Sequence, residues 1–231
     1  MYKNYRVLCV IPARGGSKGL KNKNILNIKG KPLIAYSIEQ AKECSYIDKV
    51  VVSSDSSKIL AIAKMYKADL ACKRPSYLAT SNASTIDVLK YTVNELKKKG
   101  ENYDYLVLLH ATAPLRTISD IQSCIKNLVN SRNGRNIFSV SESDRNPYFN
   151  MVEKKNNKIQ LVKKSSYVAR QQAPIVYSMN ASIYVWPVKN LMKDNDVIHN
   201  ESLVYVMPKE RSLDIDDAFD FKLVKLLMEK A

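Results

Sequence analysis

Residues 6–44 read RVLCVIPARGGSKGLKNKNILNIKGKPLIAYSIEQAKEC, and the order of events inside this stretch decides the fold. Arg6 to Ile11 is a short apolar, β-branched run that stops at Pro12 and gives way to Gly15, Gly16 and Gly19, the pattern of a buried strand followed by a loop. From Leu33 to Cys44, Leu33, Ile34, Ile38 and Ala41 recur at helical spacing, with Pro32 in the first turn. A second strand is expected over Lys49 to Ser53, and Ser54-Asp55-Ser56 after it can cap a helix from Ser57 to Tyr66.

The alternation continues outward from there. Ala68 to Lys73 reads as a short strand, Ser84 to Lys99 as a helix, Tyr105 to Leu109 as a strand ending at His110, Ser119 to Asn130 as a helix, and Asn136 to Val140 as a strand. Short, fully apolar strands alternating with amphipathic helices predict an α/β fold whose mostly parallel sheet is covered by helices on both faces. Ligands of such sheets sit at the carboxyl ends of the strands, so the loops 12–24, 53–57, 74–84 and 110–116 become the places to search. Between about 141 and 183 the periodicity breaks, and Asn156-Asn157 marks a β-hairpin; this stretch is expected to be an inserted arm on a single domain spanning 1–231. Ser182 to Trp186 and Leu203 to Met207 return to strand character, and Ala218 to Met228 closes as a helix.

Composition narrows the function. The chain has 231 residues, 45% of them hydrophobic, too many for a disordered chain, and no apolar run nears the ~18 residues of a membrane span. No signal peptide is read at the start, and a soluble cytoplasmic protein is expected. The four cysteines, Cys9, Cys44, Cys72 and Cys124, are far apart, and His110 and His199 are the only histidines, neither with a Cys or His at ligand spacing. Buried, reduced thiols are therefore expected, and any metal must be held by oxygen.

A net charge of +15 calls for anionic partners, either a nucleic acid or a small substrate such as a nucleoside triphosphate. The visible runs, Lys97 to Lys99 at a helix end and Lys154 to Lys164 around the hairpin, read as solvated surface and not as a nucleic-acid stripe with interleaved aromatics. The cations of interest, Arg14, Lys18, Lys21 and Lys23, are dispersed among glycines after the first strand. Glycines let backbone amides approach a polyphosphate and the cations neutralise it, although GxxxxGK[ST] and GxGxxG are both absent and the same composition suits a flexible surface turn. The second constellation is Asp214-Ile215-Asp216-Asp217. Alternation in an extended segment puts Asp214 and Asp216 on one face as hard oxygen ligands for Mg²⁺, while Asp216 or Asp217 could equally N-cap the last helix.

IPARGGSKGLKNKN at 11–24, followed by GKPLIAYSI at 30–38, closely resembles the start of the acylneuraminate cytidylyltransferases, the CMP-sialic acid synthetase family. Three later stretches agree in order and spacing: RPSYLATSNAST at 74–85, RQ-x-x-P through N-x-S-I-Y at 170–184, and SLDIDDAFDF at 212–221. The resemblance covers the chain from about Val7 to its end and implies a Rossmann-like nucleotidyltransferase fold with a small dimerisation arm. It also implies an enzyme that joins CTP to a nine-carbon sugar acid and releases pyrophosphate. On this resemblance Arg14, Gly16, Ser17, Lys18, Lys23 and Asn24 match the triphosphate loop, with Lys23 at the lysine regarded as essential, and Arg74, Ala83 and Ser84 match positions that hold base and ribose. Asp214 and Asp216 match the metal-binding aspartates, leaving Asp217 as the helix cap. In the implied mechanism Arg14, Lys18 and Lys23 stabilise the leaving pyrophosphate, and Asp216 or a metal-bound water takes the proton of the sugar's anomeric hydroxyl.

The acceptor side departs from the familiar pattern. The best-known sialic acid enzymes carry QPTSPLR where this chain has HATAPLR, so His110, two residues before Thr112, replaces a glutamine expected to touch the sugar. Phe149 stands where those enzymes carry a sugar-facing lysine, and Ser178 where they carry an arginine. Thr112, Arg170, Gln171, Asn180 and Tyr184 remain as expected sugar or product contacts. Two lost cations and a changed amide point toward legionaminic or pseudaminic acid over N-acetylneuraminic acid. Alternatives are a CMP-N-acetylneuraminic acid synthetase, an enzyme for the eight-carbon acid Kdo, whose loop typically lacks this sequence, and a non-catalytic basic nucleotide- or nucleic-acid-binding module. The same resemblance implies a homodimer in which Phe149, Tyr167 and Arg170 of the arm reach the partner's site.

Overall fold

The computed structural model describes residues 1–16 and 19–230. Its elements run β1 (Val7–Pro12), β2 (Asn27–Ile28), β3 (Lys31–Pro32), α1 (Leu33–Glu43), β4 (Lys49–Ser54), α2 (Ser57–Met65), β5 (Leu70–Lys73), α3 (Thr85–Lys98), β6 (Tyr105–Leu109), α4 (Ile118–Asn130) and β7 (Asn136–Glu142). There follow β8 (Val152–Lys155), β9 (Lys158–Leu161), β10 (Tyr177–Pro187), α5 (Val188–Leu191), β11 (Ser202–Val206) and α6 (Ala218–Lys230). Seven strands form one sheet in the order β11-β7-β10-β6-β1-β4-β5, parallel throughout except for β10, which runs antiparallel to both β6 and β7.

β1 lies inside the sheet, between β6 and β4, where its apolar sequence is covered. Val7, Leu8, Cys9, Val10 and Ile11 are all fully buried, as a strand covered on both faces demands. Val7, Cys9 and Ile11 enter a core layer with Ile34 and Ile38 of α1 and Ile121 and Ile125 of α4, while Leu8 and Val10 enter the opposite layer with Leu89 and Leu96 of α3 and Trp186 of β10. Burying each such aliphatic side chain contributes roughly 1.5–3 kcal/mol. Cys9, Cys44 and Cys124 are buried, Cys72 is half-buried, and all four are free thiols.

Helix starts follow the sequence closely. Ser56 caps α2 by accepting from the Ile59 amide, and Thr117 with Asp120 forms a reciprocal capping box at α4. Asn156 and Asn157 both have positive φ, 49° and 59°, joining β8 to β9 by the expected two-residue turn. The lysines at 97–99 and 154–164 are exposed.

The boundaries expected for the arm need correction. β7 and β10 continue to pair as far as Glu142 and Tyr177, so the excursion from the sheet spans 143–176, not 141–183. A register shift between Met179 and Tyr184, with Ala181 at φ 44°, interrupts the apolar alternation of β10 and hides its first half from a sequence reading. Among the described residues no helix is long and apolar enough to cross a membrane.

Candidate active site

A cleft of about 510 Å³ opens at the carboxyl ends of β1, β5 and β6. Its lining unites residues distant in sequence: Arg14 and Lys23 after β1, Arg74 after β5, His110 and Thr112 after β6, and Asp214 and Asp216 from the approach to α6.

One wall is cationic. Arg14 and Lys23 line it, and Asn24 is buried beneath them with its amide nitrogen donating to the Arg14 carbonyl at 3.1 Å. Asp55 anchors the loop by accepting from the Gly15 amide at 2.9 Å. Arg74 is 7% exposed, gives one guanidinium hydrogen bond to the Leu78 carbonyl at 3.2 Å, and keeps its buried Nε without a partner. Burial, with the nearby Arg14 charge, pushes its pKa down against the opposing pull of Asp55. A buried guanidinium with spare donors fits an anionic or carbonyl-bearing ligand.

The other wall is the Asp214 segment. Ile215 is fully buried, and its amide donates to the Thr112 carbonyl at 2.9 Å, fastening the segment to the loop after β6. Asp217 caps α6, accepting from the Phe219 and Asp220 amides at 2.7 and 3.0 Å, while Asp220 returns hydrogen bonds from the Asp216 and Asp217 amides. Upstream, Arg211 forks onto buried Asp120 at 2.9 and 3.0 Å, which also accepts from the Tyr205 hydroxyl. Gly19 closes the gap between the walls: a Cβ there would overlap the main-chain oxygen of Asp216.

Lys23 Nζ lies 2.9 Å from Asp216 Oδ1 and 2.8 Å from the Ile215 carbonyl. Asp214 Oδ1 is buried without a hydrogen-bond partner, and burial raises the carboxyl's pKa, partly offset by a hydrogen bond from Thr112 and by Lys23. An orphaned buried carboxylate oxygen beside a second, exposed carboxylate fits a hard divalent cation that keeps its other positions for water and phosphate. No group of three or more His, Cys, Asp or Glu side chains could hold a metal among the described residues, so the pair is all the protein offers there.

The floor is made by the loop after β6. Burial, with Arg116 and Lys23 close by, pushes the His110 pKa down to about 4. The imidazole is therefore neutral at neutral pH. Arg116, 2% exposed, donates to the Ala113 carbonyl at 2.6 Å, the His110 carbonyl at 2.8 Å and the Ser37 hydroxyl, with Nε left unpartnered. Sequence reasoning passed over this cation because arginine is an exposed residue by default; only the surrounding apolar run hinted otherwise.

Of the expected nucleotide residues, Arg14, Lys23, Asn24, Arg74 and Ala83 meet in the cleft. Ser17 and Lys18 lie outside the described residues. Gly16 is exposed beyond the lining, and Ser84 turns to helix capping instead, accepting from the Ile86 amide at 3.2 Å, while Thr85 takes its place in the wall. On the acceptor side only His110 and Thr112 line the cleft. Tyr184 is buried behind them, its ring 5.7 Å from His110 and stacked on Trp186, with burial and Asp214 pushing its pKa up to about 12. Asn180 spends its side chain inward, accepting from Ser139 Oγ at 2.7 Å and donating to Ser212 Oγ and Met207 Sδ, which makes it a brace for the aspartate segment and not a surface of the cleft. Phe149, Arg170 and Gln171 lie on the arm, away from the cleft of their own chain. Ala181, brought to the cleft by the irregularity in β10, was not foreseen.

A mostly parallel sheet with a glycine-bearing cationic loop after its first strand, facing two carboxylates, defines a nucleotidyltransferase of the Rossmann-like class. The chain belongs to the cytidylyltransferase family, whose model matches residues 8–225. It is 36% identical over 225 residues to a post-translational flagellin modification protein B of Campylobacter coli, covering 97% of this chain and 95% of that one. It is 37% identical over 223 residues to a CMP-N,N'-diacetyllegionaminic acid synthase of Campylobacter jejuni, covering 96% and 94%. In fold it is similar to a CMP:2-keto-3-deoxy-manno-octonic acid synthetase solved in complex with CTP, with a TM-score of 0.72, 16% identity and coverage of 97% of this chain and 99% of that one.

Proposed function

We propose that this cytidylyltransferase transfers CMP from CTP to the anomeric hydroxyl of a nonulosonic acid of the legionaminic or pseudaminic type, releasing pyrophosphate. The observation that carries the reading is the meeting of Arg14, Lys23 and Arg74 with Asp214 and Asp216 in one cleft at the strand ends. Phosphoryl transfer needs little covalent help and much positioned charge. The basic wall suits a triphosphate, with Arg14 and Lys23 at its phosphates and Arg74 and Ala83 toward the nucleoside. Asp216, whose side chain is 75% exposed, is the carboxylate an incoming hydroxyl can reach, and it is assigned as proton acceptor. Asp214 and Asp216 would hold Mg²⁺. That ion would supply charge neutralisation at the phosphate oxygens and acidify the attacking hydroxyl. His110, neutral and bordering the cleft, is assigned to hydrogen-bond the sugar, with Thr112 beside it.

The choice among sugars rests on His110, Phe149 and Ser178, and on the name of the Campylobacter jejuni relative. The homodimer rests on the family resemblance and on the run of exposed apolar residues along the arm, Met151, Val152, Ile159, Val168 and Ile175, although Met65, Ile198 and Phe219 are as exposed elsewhere. In that dimer Phe149, Tyr167 and Arg170 would reach the partner's cleft. The enzyme is placed in the cytoplasm, where CTP is made available.

The test is pyrophosphate release with Mg²⁺ and CTP against N-acetylneuraminic, legionaminic, pseudaminic and Kdo acids, with GTP, UTP and ATP as controls. Release with CTP and a legionaminic or pseudaminic acid is expected; N-acetylneuraminate as the clearly better acceptor would sink the sugar assignment. Sedimentation showing a monomer at micromolar concentration would remove the shared-site arrangement.

A further inference from the structure

We propose that Lys23 has a role before any phosphate arrives: in the nucleotide-free enzyme it is the counter-ion of Asp216 and keeps the paired-aspartate site closed to metal until the triphosphate draws it away. The inference rests on the reading of Asp214 and Asp216 as metal ligands. Two contacts from one ammonium carry it, to Asp216 Oδ1 at 2.9 Å and to the Ile215 carbonyl at 2.8 Å, so Lys23 bridges the middle of the segment that would hold the ion. Its side chain is only 20% exposed while that of Asp216 is 75% exposed; the lysine is seated between the walls and not waving in solvent.

Charge arithmetic then sets the order of events. Asp214, Asp216 and Lys23 sum to a single net negative charge, Asp217 and Asp220 are spent on main-chain amides at the start of α6, and Arg14 and Arg74 face the same cleft. A free divalent ion gains little there, because each cation nearby opposes it. A triphosphate reverses this by offering Lys23 several anionic oxygens in place of one carboxylate and by bringing charge that attracts the ion. Lys23 opens a short 3₁₀ turn after Asn22, whose φ is 56°, so the backbone is held while the four-carbon side chain can swing from carboxylate to phosphate. The structure therefore assigns the metal to enter with or after the nucleotide, and Lys23 as the element that couples the two.

Mn²⁺ binding followed by electron paramagnetic resonance tests this without turnover, on the wild type, Lys23→Gln and Lys23→Met, each with and without CTP and always without sugar. Circular dichroism establishes that the variants are folded. Without nucleotide, both variants are expected to bind Mn²⁺ roughly tenfold more tightly than the wild type, the scale of one unit charge beside a divalent ion in a partly hydrated site. Adding Asp216→Asn to Lys23→Met should erase that gain. Wild-type and variant affinities that coincide without nucleotide, while the wild type forms a protein-bound Mn²⁺–CTP complex, would overturn this inference alone. Absence of any protein-bound Mn²⁺ in the wild type even with CTP would overturn the metal reading and this inference with it.

Discussion

Gly19→Ala is a single methyl at an exposed position, yet it should cripple the enzyme. The added Cβ would meet no side chain that can swing aside; it would overlap the main-chain oxygen of Asp216. Asp216 cannot retreat easily, because the Ile215 amide is bonded to Thr112 at 2.9 Å and Asp217 is fixed as the cap of α6. The glycine loop must therefore back away from the aspartates by something approaching 1 Å, and a misplacement of that size costs on the order of 10²-fold in rate, or about 2.7 kcal/mol in the transition state. Global stability should barely change, since no core layer is touched. Steady-state pyrophosphate release should show kcat/KM down by about two orders of magnitude with an unaltered thermal melting curve. A Gly19→Ala enzyme with more than about half the wild-type kcat/KM would refute the claim that the two loops are registered by that close approach.

Other outcomes follow from the same geometry. Asp214→Asn should abolish turnover and raise the melting temperature at pH 7, because burial raises this carboxyl's pKa and its ionised form therefore costs stability above the unfolded value; differential scanning calorimetry reads the sign. Arg116→Met should cost about 3 kcal/mol or more in urea unfolding, since the Ala113 and His110 carbonyls and the Ser37 hydroxyl lose a buried charged donor together. His110→Gln should leave the pH profile of kcat between 6 and 8 unchanged, because the imidazole is held neutral with a pKa of about 4. The same depressed pKa means the unfolded chain binds the extra proton between about pH 6.5 and 4, so wild-type stability should fall across that window by up to about 3 kcal/mol more than that of His110→Gln.

How far the sequence could be read depended on whether each signal was local. The β1 strand, its glycine loop and α1 were legible because a fully apolar run bounded by Pro12 and three glycines has few other solutions. Asn156-Asn157 as a tight turn was legible because positive φ acts within two or three residues, whereas local signal left the cap of α6 open between Asp216 and Asp217 and only the resemblance singled out Asp217. β10 was half hidden, since the interruption at Ala181 breaks the period of two just where the strand crosses from exposed to buried surroundings. Ser84 matches a ligand position by resemblance while its hydroxyl also accepts from the Ile86 amide at the head of α3, a use that residue type alone does not reveal. The Lys23 to Asp216 pair lies 193 residues apart in sequence, and neither residue's neighbours encode that they meet.

Arg116 and His110 together explain why so basic a cleft keeps an uncharged histidine at its floor. Arg116 is a positive charge in the interior whose hydrogen bonds among the described residues go to carbonyls and hydroxyls, and burial, opposed by Cys9, Asp214 and Asp120, lowers its pKa to about 10. Such a cation is costly to hold, and its field, undiluted by water, extends into the cleft above. Both substrates of the proposed reaction are anions, a triphosphate and a sugar carboxylate, so a charge that cannot be screened attracts each of them without occupying space at the site. Burial first, and then the same field, disfavours a second proton on His110, which stays a neutral hydrogen-bonding group able either to donate or to accept. In the proposed reaction deprotonation then falls to the carboxylate wall and sugar contact to the histidine. Arg116→Met should accordingly raise the His110 pKa as well as weaken the fold, and an NMR titration of the imidazole that finds it unmoved would separate the two roles.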